Sequence, residues 1–294
     1  MTTPFGRVLT AMITPFDSQG AVDHGTTWDL ANHLIDTGSE GIVVGGTTGE
    51  SPTLSTDEKV ALFRAVVEAV GKRAAVVAGT GTYDTAESIH LTEQAVAAGV
   101  DGVMAVTPYY SRPPQQGLFE HFVAIADAST VPVMLYNIPS RTGRLIEVDT
   151  LARLSAHPRI VAVKDAVGDL AFTTRTRLTC PDDFVIYSGD DILTLPIMSV
   201  GGVGIVSVAS HLAGEPIRAM VDAAASGDWG EARRLHLGLA PLFTALFVEP
   251  NPMPVKAALD ALWRPVGRPR LPLVPASADT VGAVKEALAA ARAL

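Results

Sequence analysis

The run GIVVGGTTGESPTLSTDEKVALFRAVVEAVGKRAAVVAG, residues 41–79, decides the fold. It opens on an apolar strand at Gly41, turns through glycines, carries a helical period over 55–70, and re-enters an apolar strand near Ala74. Ser55-Thr-Asp-Glu58 has the capping-box spacing at the helix start, and Gly71 follows its end. A strand, a helix and a second strand, with the strands hydrophobic throughout rather than alternating, describe a parallel unit whose sheet is covered on both faces.

The unit recurs along the chain. Strand-like segments begin near Val8, Gly41, Ala74, Gly102, Val131, Ile160, Phe184 and Gly201, spaced 33, 33, 28, 29, 29, 24 and 17 residues apart. Helical periods fall between them at 26–37, 55–70, 84–98, 115–128, 147–156 and 170–179. Asp84 stands where an N-cap belongs, and Gly38 and Gly99 close two other helices. Eight such repeats predict an α/β fold, a (β/α)8 TIM barrel over residues 1–225. An open doubly wound sheet is the structural rival, but the chain has no dinucleotide fingerprint. After about residue 225 only helices are expected, at 228–247, 254–263 and 280–293, with a proline-rich link at 264–275. Residues 226–294 therefore read as a C-terminal helical extension.

Composition narrows the function classes. The 294 residues carry 22 basic and 31 acidic side chains, net −9, which argues against nucleic acid or an anionic membrane surface as partner. At 48% hydrophobic and 18% charged, the chain can bury a large core. The one cysteine, Cys180, rules out an internal disulfide and a multi-thiolate metal site, and suits the cytoplasm. Met1–Arg7 has no basic region ahead of an apolar stretch, so no export signal is read there, and no apolar run approaches the roughly 20 residues of a spanning helix.

A barrel of this kind works at the C-terminal ends of its strands. Those ends carry Gly45-Gly-Thr-Thr-Gly-Glu-Ser51, Thr107-Pro-Tyr-Tyr110, Tyr136-Asn-Ile-Pro-Ser-Arg-Thr-Gly143, Val163-Lys-Asp165 and Ser188-Gly-Asp-Asp191. Of five lysines, Lys59 and Lys72 lie in or beside the second helix and Lys256 and Lys285 in the C-terminal helices. Only Lys164 interrupts an apolar strand. Period two puts Ile160, Ala162 and Lys164 on one face and Val161, Val163 and Asp165 on the other. Inside the barrel, burial favours the neutral amine, which is a nucleophile. Bringing a lysine from about 10.4 to near 7 costs about 4.6 kcal/mol, within the reach of deep burial. The alternative is a structural ion pair with a carboxylate on another strand.

Tyr109, Tyr110 and Tyr136 at strand ends can exchange protons with an imine or carbinolamine, or else simply fill the core or rim. The Gly45–Gly49 loop lacks the lysine and spacing of a phosphate motif, and its Thr47 and Thr48 hydroxyls suit a carboxylate or a proton relay. Arg141 offers a fork for a carboxylate, or is a surface arginine. Asp190 and Asp191 read as caps for the following helix. No spaced ligand set such as HxxxH marks a metal site.

Taken with Lys164-Asp-Ala166 and Glu249-Pro-Asn-Pro-Met-Pro-Val-Lys256, these motifs resemble, nearly end to end, the 4-hydroxy-tetrahydrodipicolinate synthase family, long called dihydrodipicolinate synthases. The resemblance implies a lyase that condenses pyruvate with L-aspartate 4-semialdehyde in the diaminopimelate route to lysine. It implies no cofactor beyond a covalent imine between Lys164 and pyruvate. By the same resemblance Tyr136 is the general acid and base, with Thr47 and Tyr110 as its relay. In the family that second tyrosine enters the neighbouring subunit's site, so a homotetramer is expected. Thr48, Gly189 and Val206 match the pyruvate pocket, and Arg141 the semialdehyde carboxylate anchor.

Related barrels that share the lysine and the glycine loop act on sugar acids, among them N-acetylneuraminate lyase and 2-keto-3-deoxy-gluconate aldolase. The Ser-Arg-Thr-Gly turn around Arg141 points to the synthase, and a non-enzymatic binding barrel is the more distant alternative. Lysine-inhibited members carry two histidines and an asparagine where this chain has Thr56, Lys59 and Tyr83, while Glu87 and Tyr109 are retained. Feedback inhibition by lysine is therefore expected to be weak or absent.

Overall fold

Each apolar run becomes a strand in the computed structural model, which describes residues 3–291. The strands are β1 (Val8–Ala11), β2 (Gly41–Val44), β3 (Ala75–Gly79), β4 (Gly102–Val106), β5 (Val133–Asn137), β6 (Ile160–Asp165), β7 (Val185–Ser188) and β8 (Gly204–Ser207). They pair in chain order, all parallel, and β8 closes on β1. The sheet is thus a TIM barrel without a free edge, and the open rival is excluded. Some strands start later than expected, for local reasons. Pro132 has no amide to give a ladder, so β5 begins at Val133. Gly201 takes φ +101 in the turn before β8, which begins at Gly204.

Helices α1 (His24–Asp36), α2 (Thr56–Val70), α3 (Thr85–Ala97), α4 (Gln115–Ala128), α5 (Pro139–Thr142), α6 (Val148–Leu154), α7 (Leu170–Thr179), α8 (Thr194–Ser199) and α9 (Ser210–Ser226) follow the strands. The Ser55 and Glu58 capping box forms in both directions, and Asp84 accepts from the Glu87 amide. Helices α5, α8 and α9 were not expected. The first two are too short to show a period, and α9 contains Pro216 and a non-helical Ala213 that break it.

The chain continues as α10 (Trp229–Ala245), α11 (Met253–Leu262) and α12 (Ala278–Ala291); α10 packs on α9 and α12, and α11 on α12. Residues Met1 and Thr2, read above as no part of an export signal, and 292–293, expected at the end of the last helix, lie outside the described residues. No helix among the described residues is long and apolar enough to cross a membrane.

Two apolar layers hold the barrel. Ile42, Val76, Val103 and Leu135 face the helices, while Leu9, Val43, Val77, Met134, Ala162 and Val206 fill the interior. Each of these fully buried side chains larger than alanine contributes about 1.5–3 kcal/mol. The β5–β6 register jumps from Val133 opposite Ile160 to Met134 opposite Ala162, a bulge at Val161. The extra residue reverses the alternation upstream of it. Ile160 therefore packs outward and Val161 against the interior, opposite to the period-two expectation. Ala162 and Lys164, beyond the bulge, keep the predicted face.

Candidate active site

Tyr136, Lys164 and Tyr187 are register neighbours on β5, β6 and β7, so the lysine stands between two tyrosines in one layer. Lys164 is 5% exposed, and its Nζ lies 4.2 Å from the centroid of the Tyr136 ring. Asp165 points the other way, accepting from the Val167 amide and the Thr173 hydroxyl. Asp191 is the carboxylate whose charge reaches Lys164, yet its own oxygens accept from the Ser207 hydroxyl and the Val208 and Ala209 amides. No ion pair of Lys164 occurs among the described residues, so the structural-pair alternative fails. Burial prevails and lowers the amine to about 8, with Asp191 opposing and Arg141 assisting. That is less than the shift to near 7 considered from sequence, but it leaves a usable neutral fraction near pH 8.

Burial acts on Tyr136 in the opposite sense and pushes its phenol up to about 12, against the lowering influence of Arg141 and of the Thr47 hydroxyl. Tyr136 is therefore a protonated donor beside a partly neutral amine. Tyr187, the tyrosine on the other side, sends its hydroxyl to the Gly6 carbonyl at 2.8 Å and serves the core.

A cavity of about 220 Å³ adjoins this layer, its lining including Thr47, Tyr136, Ile138, Arg141, Lys59 and Tyr109. Lys164 is not on its wall; the amine meets the Tyr136 ring, which is. Gly189 lets the chain pass close to the lysine, since a Cβ there would stand 3.1 Å from Lys164 Cε and Cγ and 2.8 Å from Ala166 Cβ. Val206 faces inward on β8. Thr48 is buried and accepts from Asn251 Nδ2 at 2.9 Å. Arg141 is exposed but lines the cavity, with Nη2 3.4 Å from the Asn251 carbonyl. The arrangement therefore sets a phenolic acid, the Thr47 hydroxyl and a guanidinium around one space, with a nucleophilic amine against the phenol's ring.

Of the predicted site residues, Thr47, Tyr136 and Arg141 line this cavity, and Lys164, Thr48, Gly189, Val206 and Tyr110 do not. Tyr110 is 95% exposed and sits at φ +67 in the loop after β4. Asp190 does cap a short 3-10 turn, through the Ile192 amide, but Asp191 does not. It ties the end of β8 to the β7 loop, a partnership invisible locally because its donors lie 16–18 residues on. Lys164 is also not the sole buried lysine. Lys59 is 6% exposed on the cavity wall and Lys256 is 1% exposed, paired with Glu50 at 2.8 Å. Asn251, Lys256 and Glu50 lie in the motifs at 249–256 and 45–51, but nothing local in those stretches marks their contacts. Among the described residues no group of three or more His, Cys, Asp or Glu side chains is placed to hold a metal.

With this geometry in view, the chain matches the model of the dihydrodipicolinate synthetase family over residues 4–291. It is 56% identical over 287 residues to a 4-hydroxy-tetrahydrodipicolinate synthase of Moorella thermoacetica, covering 98% of this chain and 97% of that one. A synthase of the same name from Heliobacterium modesticaldum is 55% identical over 282 residues, covering 96% and 94%. Among solved structures, the lysine-bound enzyme of Cyanidioschyzon merolae superposes with a TM-score of 0.97 at 47% identity, covering all of both chains. The chloride-inhibited enzyme of Acinetobacter baumannii, complexed with pyruvate, gives 0.95 at 36% identity, covering 99% and 100%.

Proposed function

The chain belongs to the dihydrodipicolinate synthetase family, a lyase of diaminopimelate and lysine biosynthesis, and we propose that it condenses pyruvate with L-aspartate 4-semialdehyde through an imine on Lys164. The observation that carries this reading is the buried, unpaired Lys164 amine, held near 8, against the ring of Tyr136.

The neutral amine attacks the pyruvate ketone carbon, and the carbinolamine loses its hydroxyl as water with a proton from Tyr136. Loss of a methyl proton from the iminium gives an enamine. Its carbon adds to the aldehyde of the semialdehyde, whose oxygen takes up a proton. The semialdehyde amine then attacks the imine carbon, closes the ring and releases Lys164. Tyr136 and Thr47 pass the protons, the Thr48 hydroxyl with the Gly189 and Val206 backbone holds the pyruvate, and Arg141 holds the semialdehyde carboxylate. Every covalent step uses Lys164, so no cofactor is needed.

We further propose a homotetramer in which Tyr110 completes the relay of a neighbouring subunit. What supports this is its nearly complete exposure in a left-handed backbone position, with no wall of its own cavity to line. Residues 1–225 then carry the lysine and its relay, and 226–294 the helical extension. The buried Cys180 thiol is consistent with a cytoplasmic location. The relatives named above are synthases, not sugar-acid aldolases, and a coupled assay with both classes of aldehyde separates the two.

The central test is reduction with borohydride in the presence of pyruvate, followed by peptide mapping. The adduct is expected on Lys164; no adduct, or one on another lysine, sinks the mechanism.

A further inference from the structure

The C-terminal helices reach back to the loop that carries Thr47 and Thr48. On α11, Lys256 Nζ donates to Glu50 Oε1 at 2.8 Å and to the Thr14 carbonyl at 3.0 Å. The other Glu50 oxygen accepts from the Arg270 amide at 2.8 Å. Glu50 sits at φ +56, a left-handed position that favours glycine, so the backbone there works against any side chain. The two donors, one of them the buried Lys256 amine, supply the reason for a carboxylate. The Glu50 amide in turn donates to the Thr47 carbonyl at 3.0 Å, and the Gly49 carbonyl accepts from the Thr14 hydroxyl at 2.6 Å. The far side of the loop is therefore anchored through Lys256.

Asn251, just ahead of α11, acts on the loop directly. Its Nδ2 donates to Thr48 Oγ1 at 2.9 Å, and both residues are buried. A hydroxyl oxygen that accepts from an amide keeps its own hydrogen free, so Thr48 is left as a donor, the polarity that a carboxylate ligand requires.

We propose that Asn251 and the Lys256–Glu50 pair are positioning residues for recognition of the pyruvate carboxylate, holding the loop in place and the Thr48 hydroxyl as a donor. This rests on the role proposed above for Thr48. Neither Asn251 nor Lys256 touches the reacting atoms; both act through the threonine.

Two variants test it by steady-state kinetics. Glu50→Met/Lys256→Met replaces the buried pair with apolar side chains of similar length, an exchange that folded proteins commonly tolerate. Asn251→Asp gives Thr48 an acceptor in place of a donor and sets a negative charge beside the carboxylate site. The pyruvate KM is expected to rise about tenfold in the double variant and further in Asn251→Asp, with the semialdehyde KM within about twofold of wild type. Partial unfolding alone lowers kcat through the active fraction and leaves KM where it was. A folded variant of either kind with pyruvate KM within about twofold of wild type overturns the proposal, and Asn251→Asp decides alone if the double variant fails to fold. Borohydride labelling of wild type runs in parallel. Missing label on Lys164 defeats the parent mechanism, whereas normal label with unchanged variant KM defeats only this inference.

Discussion

Two lysines of this chain are almost equally hidden, and their surroundings make opposite uses of burial. Lys164, at the top of β6, has an aromatic ring for company and no carboxylate of its own. Lys256, on α11, has Glu50, a carbonyl and the face of Phe16. Burial lowers both amines, but at Lys256 the Glu50 charge and hydrogen bond oppose it. Desolvation without a partner yields a nucleophile; desolvation with one yields a fastener. The difference teaches that a lysine's depth says nothing about its task until its counter-charge is found.

The comparison breaks or sharpens under substitution. The largest expected effect is on turnover: Lys164→Met loses at least about a thousandfold in kcat, because no other group can form the imine. Any residual activity above that level, measured with pyruvate and semialdehyde in a coupled assay, breaks the contrast outright.

Stability should move in opposite directions. Lys256→Met strands the Glu50 charge and is expected to cost about 3–5 kcal/mol, a fall in Tm of the order of 10 °C. Lys164→Met removes an amine whose pKa drops from 10.5 in the unfolded chain to about 8 in the fold, a relief of about 3 kcal/mol. Below pH 8 both states hold that proton, so the gain is complete. Between 8 and 10.5 the unfolded state binds more protons, wild type recovers, and the gain fades. Thermal melts of both variants at pH 7 and pH 10 check the signs.

Smaller effects sharpen the Lys164 side. The rate of borohydride trapping should rise about tenfold per pH unit below 8 and level off above it. Arg141→Ala removes a charge that depresses the amine, so this curve should move up by a few tenths of a pH unit while the semialdehyde KM rises about tenfold or more. A third buried lysine gives the smallest expected response. Lys59 stands on the cavity wall, where burial lowers its amine and Glu87 raises it, and inhibition by free L-lysine is expected to be weak or absent. Half-inhibition at sub-millimolar lysine in a steady-state assay reverses that expectation.

The barrel was legible because its signal is repeated: eight apolar runs, each followed by a turn, outvote any local ambiguity. Lys164 was legible for a related reason, as a charge inside one of those runs. What escaped depended on distance or on a single residue. The bulge at Val161 adds one position without changing composition, so Ile160 and Val161 were assigned to the wrong faces. Asp191 looks locally like a helix cap because its true donors, the Val208 and Ala209 amides, lie just past the end of the next strand. Lys256 looked like any helix lysine, since Glu50 is 206 residues away along the chain and comes near only after the barrel has closed. Tyr110 is the converse case: read from resemblance, it has no place in its own chain's cavity.

The link between Glu50 and Lys256 also bears on the order in which the protein is made. A ribosome delivers the last barrel strand at Ser207, with Asn251 and Lys256 still some 44 and 49 residues from emergence. Until they arrive, Glu50 is a carboxylate without a counter-ion in a backbone conformation it does not favour, and Thr48 has no amide to orient it. The contacts that set this loop are thus completed by chain made after every strand of the barrel.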